Sequence, residues 1–145
     1  MRCEYFVWTD RTRLPSVSDV IAKLEESGYV CRIRHGGEGA SNTAYWTTLD
    51  VETQTERGVE VCTITVTHPS AEEIEELRQT YESLPLQVKK ASRKFKIEAE
   101  ADEYGQPTDF HLKVTAALAR LTNGVVDDPQ ENGLMLLEEF EEYMS

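Results

Sequence analysis

The feature that most constrains the fold is an amphipathic helix that stops abruptly and is followed by a short strand. Apolar residues recur within residues 108–121 at the spacing of one helical face: Phe110, Val114, Ala117, Leu118 and Leu121. The pair Asn123-Gly124 ends such a helix, and Val125-Val126 is typical of a strand. The pair Asp128-Pro129 then turns the chain. This pattern predicts an ordered domain of the α+β class.

Strand-like and helix-like segments alternate along the rest of the chain. Strands are predicted at residues 3–9, 29–35, 43–51, 59–68, 92–101 and 125–126, and helices at 16–28, 70–84, 108–121 and 133–144. Ser16 and Ser70 are expected to cap the first two helices, because an acidic residue follows each of them three positions later. The first strand is expected to be central in its sheet, since apolar residues occur on both of its faces.

The order of these segments is β-α-β-β-β-α-β-α-β-α, in a chain of 145 residues. A chain of this length buries roughly two-thirds of its unfolded surface as one domain without disulfides or metal. We therefore predict a single globular α+β domain over residues 1–145. Its sheet is expected to be mixed and mainly antiparallel, with helices packed on one face and a ferredoxin-like core carrying additional strands.

The N-terminal segment and the distribution of apolar residues indicate the cellular compartment in which the protein is expected. No window approaches the ~18 consecutive apolar residues of a membrane span. Glu4 interrupts what would be the apolar part of a signal peptide, and no small-residue cleavage site follows. We expect a cytoplasmic protein.

Three cysteines lie about thirty residues apart in strand-like segments, at Cys3, Cys31 and Cys62, and no C-x-x-C pair occurs. An odd number of cysteines in a chain of this kind indicates reduced thiols, and free cysteine is usually a small core residue. The alternative is that adjacent strands bring the three thiols together as a metal or redox site.

The formal net charge of −12 is unevenly distributed. Residues 49–83 carry nine acidic and two basic side chains, and residues 121–145 carry seven acidic side chains and no basic one. Such a surface repels phosphate and anionic lipid, so nucleic acid and membranes are not expected partners. It attracts cationic partners, although acidic helices can also serve only to keep a protein soluble.

The leading hypothesis is a small acidic binding protein, without enzymatic activity, that engages a more basic protein as an immunity or regulatory factor. The charge would come from glutamates of the second helix and the tail: Glu72, Glu75, Glu76, Glu138, Glu139, Glu141 and Glu142. Tyr45 and Trp46 would supply contact area if they face outward. Burial in the core is the alternative for these aromatic residues.

A second hypothesis is a small-molecule-binding or hydrolytic domain. His35 and His68 end two predicted strands, and Gly36-Gly37 begins a glycine-rich loop, so these residues could line one pocket at a shared sheet edge. The pair Asp127-Asp128 is either an acidic site or an ordinary Asp-Pro turn. No catalytic signature, cofactor motif or metal-ligand spacing is present in the sequence. A third hypothesis is a structural homodimer formed through an exposed sheet face or edge.

The segment of residues 110–130 resembles the end of many small, largely uncharacterised bacterial α+β proteins. In those proteins a helix rich in Ala and Leu precedes a Gly, a short apolar strand, Asp and Gln, as in the run Ala116-Ala117-Leu118 to Val125-Val126-Asp127-Asp128-Pro129-Gln130. Some acidic proteins of that general shape act as immunity proteins in toxin systems. The resemblance implies a bacterial source and carries over no catalytic residue.

Overall fold

The computed structural model describes residues 1–36 and 46–145. The strands are β1 Arg2–Thr9, β2 Cys31–Gly36, β3 Thr48–Thr55, β4 Gly58–Thr67, β5 Arg93–Glu100, β6 Val125–Asp128 and β7 Gly133–Met135. The helices are α1 Val17–Glu26, α2 Ala71–Thr80, α3 Leu86–Lys89, α4 Asp109–Thr122 and α5 Leu137–Met144. The α+β class is confirmed. The sequence did not predict α3 or β7, and the first three residues of the strand predicted at 43–51 lie outside the described residues.

All seven strands form one sheet in the order β2-β3-β4-β5-β1-β6-β7, and every neighbouring pair is antiparallel. The predicted central place of β1 is confirmed, because β1 lies between β5 and β6. Helix α4 connects β5 to β6 and so crosses over β1. The ferredoxin-like core is not confirmed: α1 connects β1 to β2, and three strands, not one, lie between those two.

The main core lies between the inner face of the sheet and helices α1, α4 and α5. Alternate residues of β1 and β5 point into it, among them Tyr5, Val7 and Ile97. The amphipathic stripe predicted for α4 is confirmed, with Val114 and Leu118 fully buried. Helices α1, α4 and α5 lie on this face as expected, but the expectation that all helices pack on one face is wrong, because α2 and α3 pack on the other.

The remaining helical segment packs on the opposite, outer face of the sheet. There Trp8 and Val125 form a second apolar cluster with Leu84 and Val88. Ile74 and Leu77 of α2 and its C-cap residue Tyr81 pack against this cluster, yet α2 has no fully buried side chain. Helix α2 is therefore held in part by partly buried apolar contacts.

The helix boundaries follow from local chemistry. Ser16 and Ser70 both form the predicted capping boxes, with Asp19 and Glu73 as the returning acidic residues. At the end of α4, Asn123 adopts a left-handed conformation with φ 51°. Gly124 follows where a Cβ atom would lie 2.6 Å from a Val7 methyl carbon, so only glycine lets α4 end this close to β1.

The three cysteines are free thiols on the inner side of the sheet. Cys3 and Cys62 both pair with Ala99, from opposite sides of β5. Their Cα atoms are therefore about 10 Å apart, whereas a disulfide needs a separation below about 7 Å. Burial raises the pKa of the Cys62 thiol, which keeps it protonated. Within residues 1–36 and 46–145, no group of three potential ligands could hold a metal ion.

In the described part of the chain, no helix combines the length and the apolar character needed to cross a membrane.

Candidate partner-binding surface

The predicted acidic residues lie on two helices on opposite faces of the sheet. Helix α5 packs on the inner side of β6 and β7, and α2 lies on the outer face, where its C-terminal residue Tyr81 reaches β7. The predicted glutamates of both helices are exposed: Glu72, Glu75, Glu76, Glu138, Glu139, Glu141 and Glu142. Helix α2 runs from β5, where Glu73 meets Lys94, towards β7, where Tyr81 lies, so its glutamates and those of α5 lie on opposite faces of the sheet.

Most of these carboxylates have no cationic neighbour. Glu141 forms an ion pair with Arg120, and Glu75 lies 4.0 Å from Arg78. Among the described residues, no ion pair involves the other five. Glu139 accepts a hydrogen bond from the backbone N–H of Leu136 and so caps α5. The negative charge of α2 and α5 is thus largely uncompensated and faces solvent.

The edge between the two helices is closed to further strand pairing. The backbone N–H of Leu134 in β7 donates a hydrogen bond to the Tyr81 hydroxyl, with a separation of 3.1 Å. An exposed edge strand ordinarily offers such groups to another chain. Because Tyr81 takes this donor, the surface presents side chains rather than a free backbone edge.

Lys94 of β5 helps to hold helix α2 on the sheet. Lys94 of β5 lies 3.2 Å from Glu73 and stacks over the rings of Phe6 and Trp8, 4.4 Å and 4.6 Å from their centroids. The pKa of Glu73 is lowered, chiefly by the backbone N–H of Ser70 and also by Lys94. The N-terminal turn of α2 is therefore fixed by charge as well as by its cap.

The expectation that Trp46 supplies an exposed contact is wrong. Trp46 is 3% exposed, its indole N–H donates to the Pro15 carbonyl oxygen at 2.8 Å, and its ring lies 6.0 Å from that of Phe95. The core interpretation holds because this partner satisfies the buried N–H. Tyr45 lies outside the described residues. The exposed aromatic residue on the acidic surface is Tyr143 of α5, which is 40% exposed.

Tyr143 was missed by the sequence analysis, although a signal for it exists. The tail carries two aromatic residues three positions apart, Phe140 and Tyr143. Residues at this spacing lie on neighbouring parts of a helix surface, and only one of them can point directly at the core. Phe140 is fully buried, so Tyr143 lies at the boundary with solvent.

The residues of the alternative pocket are not brought together. His35 and Gly36 end β2, Gly37 lies outside the described residues, and His68 follows β4. The register places His35 opposite Asp50, and Asp50 opposite Thr63, five residues before His68. The two histidines are thus offset by about 16 Å along the strands. His68 is exposed, and its Nδ1 donates to the Ser92 carbonyl oxygen at 2.9 Å.

The two aspartates lie on β6, five strand spacings or about 24 Å from β2. Asp128 is buried and accepts hydrogen bonds from the backbone and the side chain of Asn132, at 3.3 Å and 3.0 Å. This is the turn chemistry expected of Asp before Pro. Burial raises the pKa of Asp127, while the nearby Trp8 indole and Lys94 oppose that shift.

A cavity of about 750 Å³ lies elsewhere in the molecule. It lies where β4 begins and β5 ends, beyond the last pair between them, Cys62 and Ala99. Arg57 and Glu103 form an ion pair of 2.7 Å next to it, and Arg2 and Glu100 form one of 3.6 Å. No His, Cys or Ser is among its described lining residues, and the hydroxyl of Thr63 donates a hydrogen bond to Asp50 at 2.7 Å.

Comparison with known proteins adds no relative: no protein family, no curated protein and no solved structure matches the chain significantly.

Proposed function

We propose that this chain is a binding protein whose acidic surface on α2 and α5 engages a more basic protein, in the manner of an immunity or regulatory factor. What supports the proposal is the exposure of largely unpaired carboxylates on α2 and α5, which lie on opposite faces of the sheet and both reach its β7 end, α5 directly and α2 through Tyr81.

The physical basis is long-range attraction followed by contact. A formal net charge of −12 raises the encounter rate with a cationic protein, and the local excess of carboxylates orients the approach. Salt screens exposed charges over about 8 Å at physiological ionic strength. Association through this surface should therefore weaken steeply as salt is added.

The test is affinity capture of the tagged protein from its native cells at low and high salt, with variants that each remove two charges. Glu72→Gln/Glu76→Gln alters α2, and Glu138→Gln/Glu142→Gln alters α5. The matched control is Glu25→Gln/Glu56→Gln, which removes two exposed carboxylates from α1 and from the β3–β4 turn.

A stoichiometric basic protein should be captured at low salt, lost at high salt, and lost more readily with the α2 and α5 variants than with the control. Equal retention by all three variants would show that the net charge and not this surface attracts the partner. Capture that is insensitive to salt would contradict the proposal.

A further inference from the structure

We propose that the exposed ring face of Tyr143 is the anchor of this surface and receives an arginine or lysine side chain of the partner. The inference rests on the proposed function, because it names the contact that a basic partner makes with α5. It replaces the aromatic contact expected of Trp46, which is buried.

The Tyr143 ring is held in place before any partner arrives. It packs against Phe140 with ring centroids 6.2 Å apart. The Tyr5 hydroxyl and the Asn132 side chain lie close to its hydroxyl. A ring packed against its neighbours in this way loses less conformational entropy on binding than a fully exposed ring does. Tyr104, by contrast, is 80% exposed.

The surroundings of the ring are acidic. Glu139 precedes Tyr143 by four residues and lies on the same side of α5. Burial and the carboxylates of Glu131 and Asp128 raise the pKa of the Tyr143 hydroxyl. The negative face of a tyrosine ring next to several carboxylates attracts a cation, and an arginine can both stack on the ring and bind a carboxylate.

A small cavity lies near this site. Tyr5, Asp128 and Glu131, which act on the Tyr143 hydroxyl, line a cavity of about 130 Å³, although Tyr143 is not among its described lining residues. Glu4 is a third carboxylate in its lining. The cavity therefore adds negative charge near the ring. Leu136, 44% exposed at the start of α5, offers apolar surface for the stem of a second long side chain.

The test uses a defined probe: a fluorescein-labelled, capped heptapeptide of alternating glycine and arginine with three arginines. A version with glutamate in place of arginine is the probe control. Affinity is measured by fluorescence anisotropy at low salt for the full chain and for three variants. Tyr143→Leu removes the ring, Tyr143→Phe keeps it, and Tyr104→Leu is the matched control at an exposed tyrosine. Thermal melts establish that each variant is folded.

Wild type and Tyr143→Phe should bind the arginine peptide alike, while Tyr143→Leu should bind it about twofold to fivefold more weakly. Tyr104→Leu should match wild type, and the glutamate peptide should not bind. Equal affinity of Tyr143→Leu and wild type, or equal losses at Tyr143 and Tyr104, would overturn the inference. If Glu138→Gln/Glu142→Gln still weakens the same peptide in that case, the proposed function stands without this anchor. If wild type does not bind the arginine peptide, both fail.

Discussion

Tyr81 and Gly133 fit together because residue 133 has no side chain. A Cβ atom at position 133 would lie 2.2 Å from the Tyr81 hydroxyl oxygen, and Gly133 also has a positive φ of 65°. This contact lets the hydroxyl reach the N–H of Leu134 and close the β7 edge. The glycine therefore couples the position of α2, on the outer face, to the edge of the sheet.

Gly133→Ala is predicted to destabilise the protein by more than its backbone strain alone. Alanine in a left-handed conformation costs about 1–2 kcal/mol, and displacing Tyr81 adds at least about 1 kcal/mol of overpacking. Gly28→Ala is the matched control, because Gly28 has φ 89° and no atom within 4 Å of its Cβ position. The free energies of unfolding come from urea denaturation.

A double variant separates the two contributions to that loss. Tyr81→Phe removes the hydroxyl that the new methyl group would meet, so Gly133→Ala should cost less in the Tyr81→Phe background. If Gly133→Ala and Gly28→Ala cost the same, the Tyr81 contact contributes nothing to stability.

A buried histidine makes stability depend on pH near neutrality. His111 is fully buried, and its Nε2 donates to the Ile97 carbonyl oxygen at 2.8 Å, while Nδ1 has no hydrogen-bond partner among the described residues. Burial lowers the pKa of His111 in the folded state. In the unfolded chain the imidazole takes up a proton near its ordinary pKa of about 6.5. Between the two pKa values the unfolded state binds more protons, so stability falls as the pH drops below about 6.5.

We predict that His111→Phe flattens the pH dependence of the unfolding free energy between pH 7 and pH 5. The slope attributable to His111 in this window approaches at most about 1.4 kcal/mol per pH unit. His68→Gln, which removes an exposed imidazole, is the control. A wild-type slope that persists in His111→Phe would assign the effect to other groups. Glu73, whose folded pKa is lowered, loses its contribution at more acidic pH, as the pH falls through that pKa.

Local signals predicted most of the elements, and long-range pairing accounts for those that were missed. The segment Gly133–Met135 has no alternation, and it is a strand only because β6 pairs with it, Val126 opposite Met135. The four-residue helix α3, which begins directly after Pro85, is too short for its apolar residues to show a helical period. No local pattern indicates that β1 lies between β5 and β6, since that order depends on where α4 crosses the sheet.

The candidate surface was predicted only in part, again because some of its contacts depend on long-range packing. Glutamates on amphipathic helices can be assigned to solvent from periodicity, and those of α2 and α5 are exposed. The aromatic contact could not be assigned in this way, because Trp46 and Tyr143 each carry an apolar ring with one polar atom. Trp46 is buried because the Pro15 carbonyl oxygen accepts its N–H, and that oxygen is brought close only by the fold.

The Glu73–Lys94 pair is predicted to stabilise the attachment of α2 by under about 1 kcal/mol, because the Glu73 side chain is 41% exposed and solvent screens the pair. A double-mutant cycle with Glu73→Gln and Lys94→Met measures this coupling. The same cycle on Glu75 and Arg78, whose side chains are 62% and 52% exposed, should give a smaller value. Coupling that is no larger at Glu73–Lys94 than at this control pair would mean that the cap and the apolar contacts alone hold α2.

Because both tryptophans are buried, quenching of their fluorescence by iodide tests whether Trp46 is a core or a surface residue. Trp8 and Trp46 are 2% and 3% exposed, so iodide, a charged quencher, should reach neither in the folded protein. In the Trp8→Phe variant, Trp46 is the remaining tryptophan, and iodide should not quench its fluorescence until urea unfolds the chain. Binding of a basic partner should leave this emission unchanged, because the contact is made at Tyr143 and the acidic helices. Strong quenching of Trp46 in the folded variant, or protection of Trp46 by the partner, would identify Trp46 and not Tyr143 as the aromatic contact.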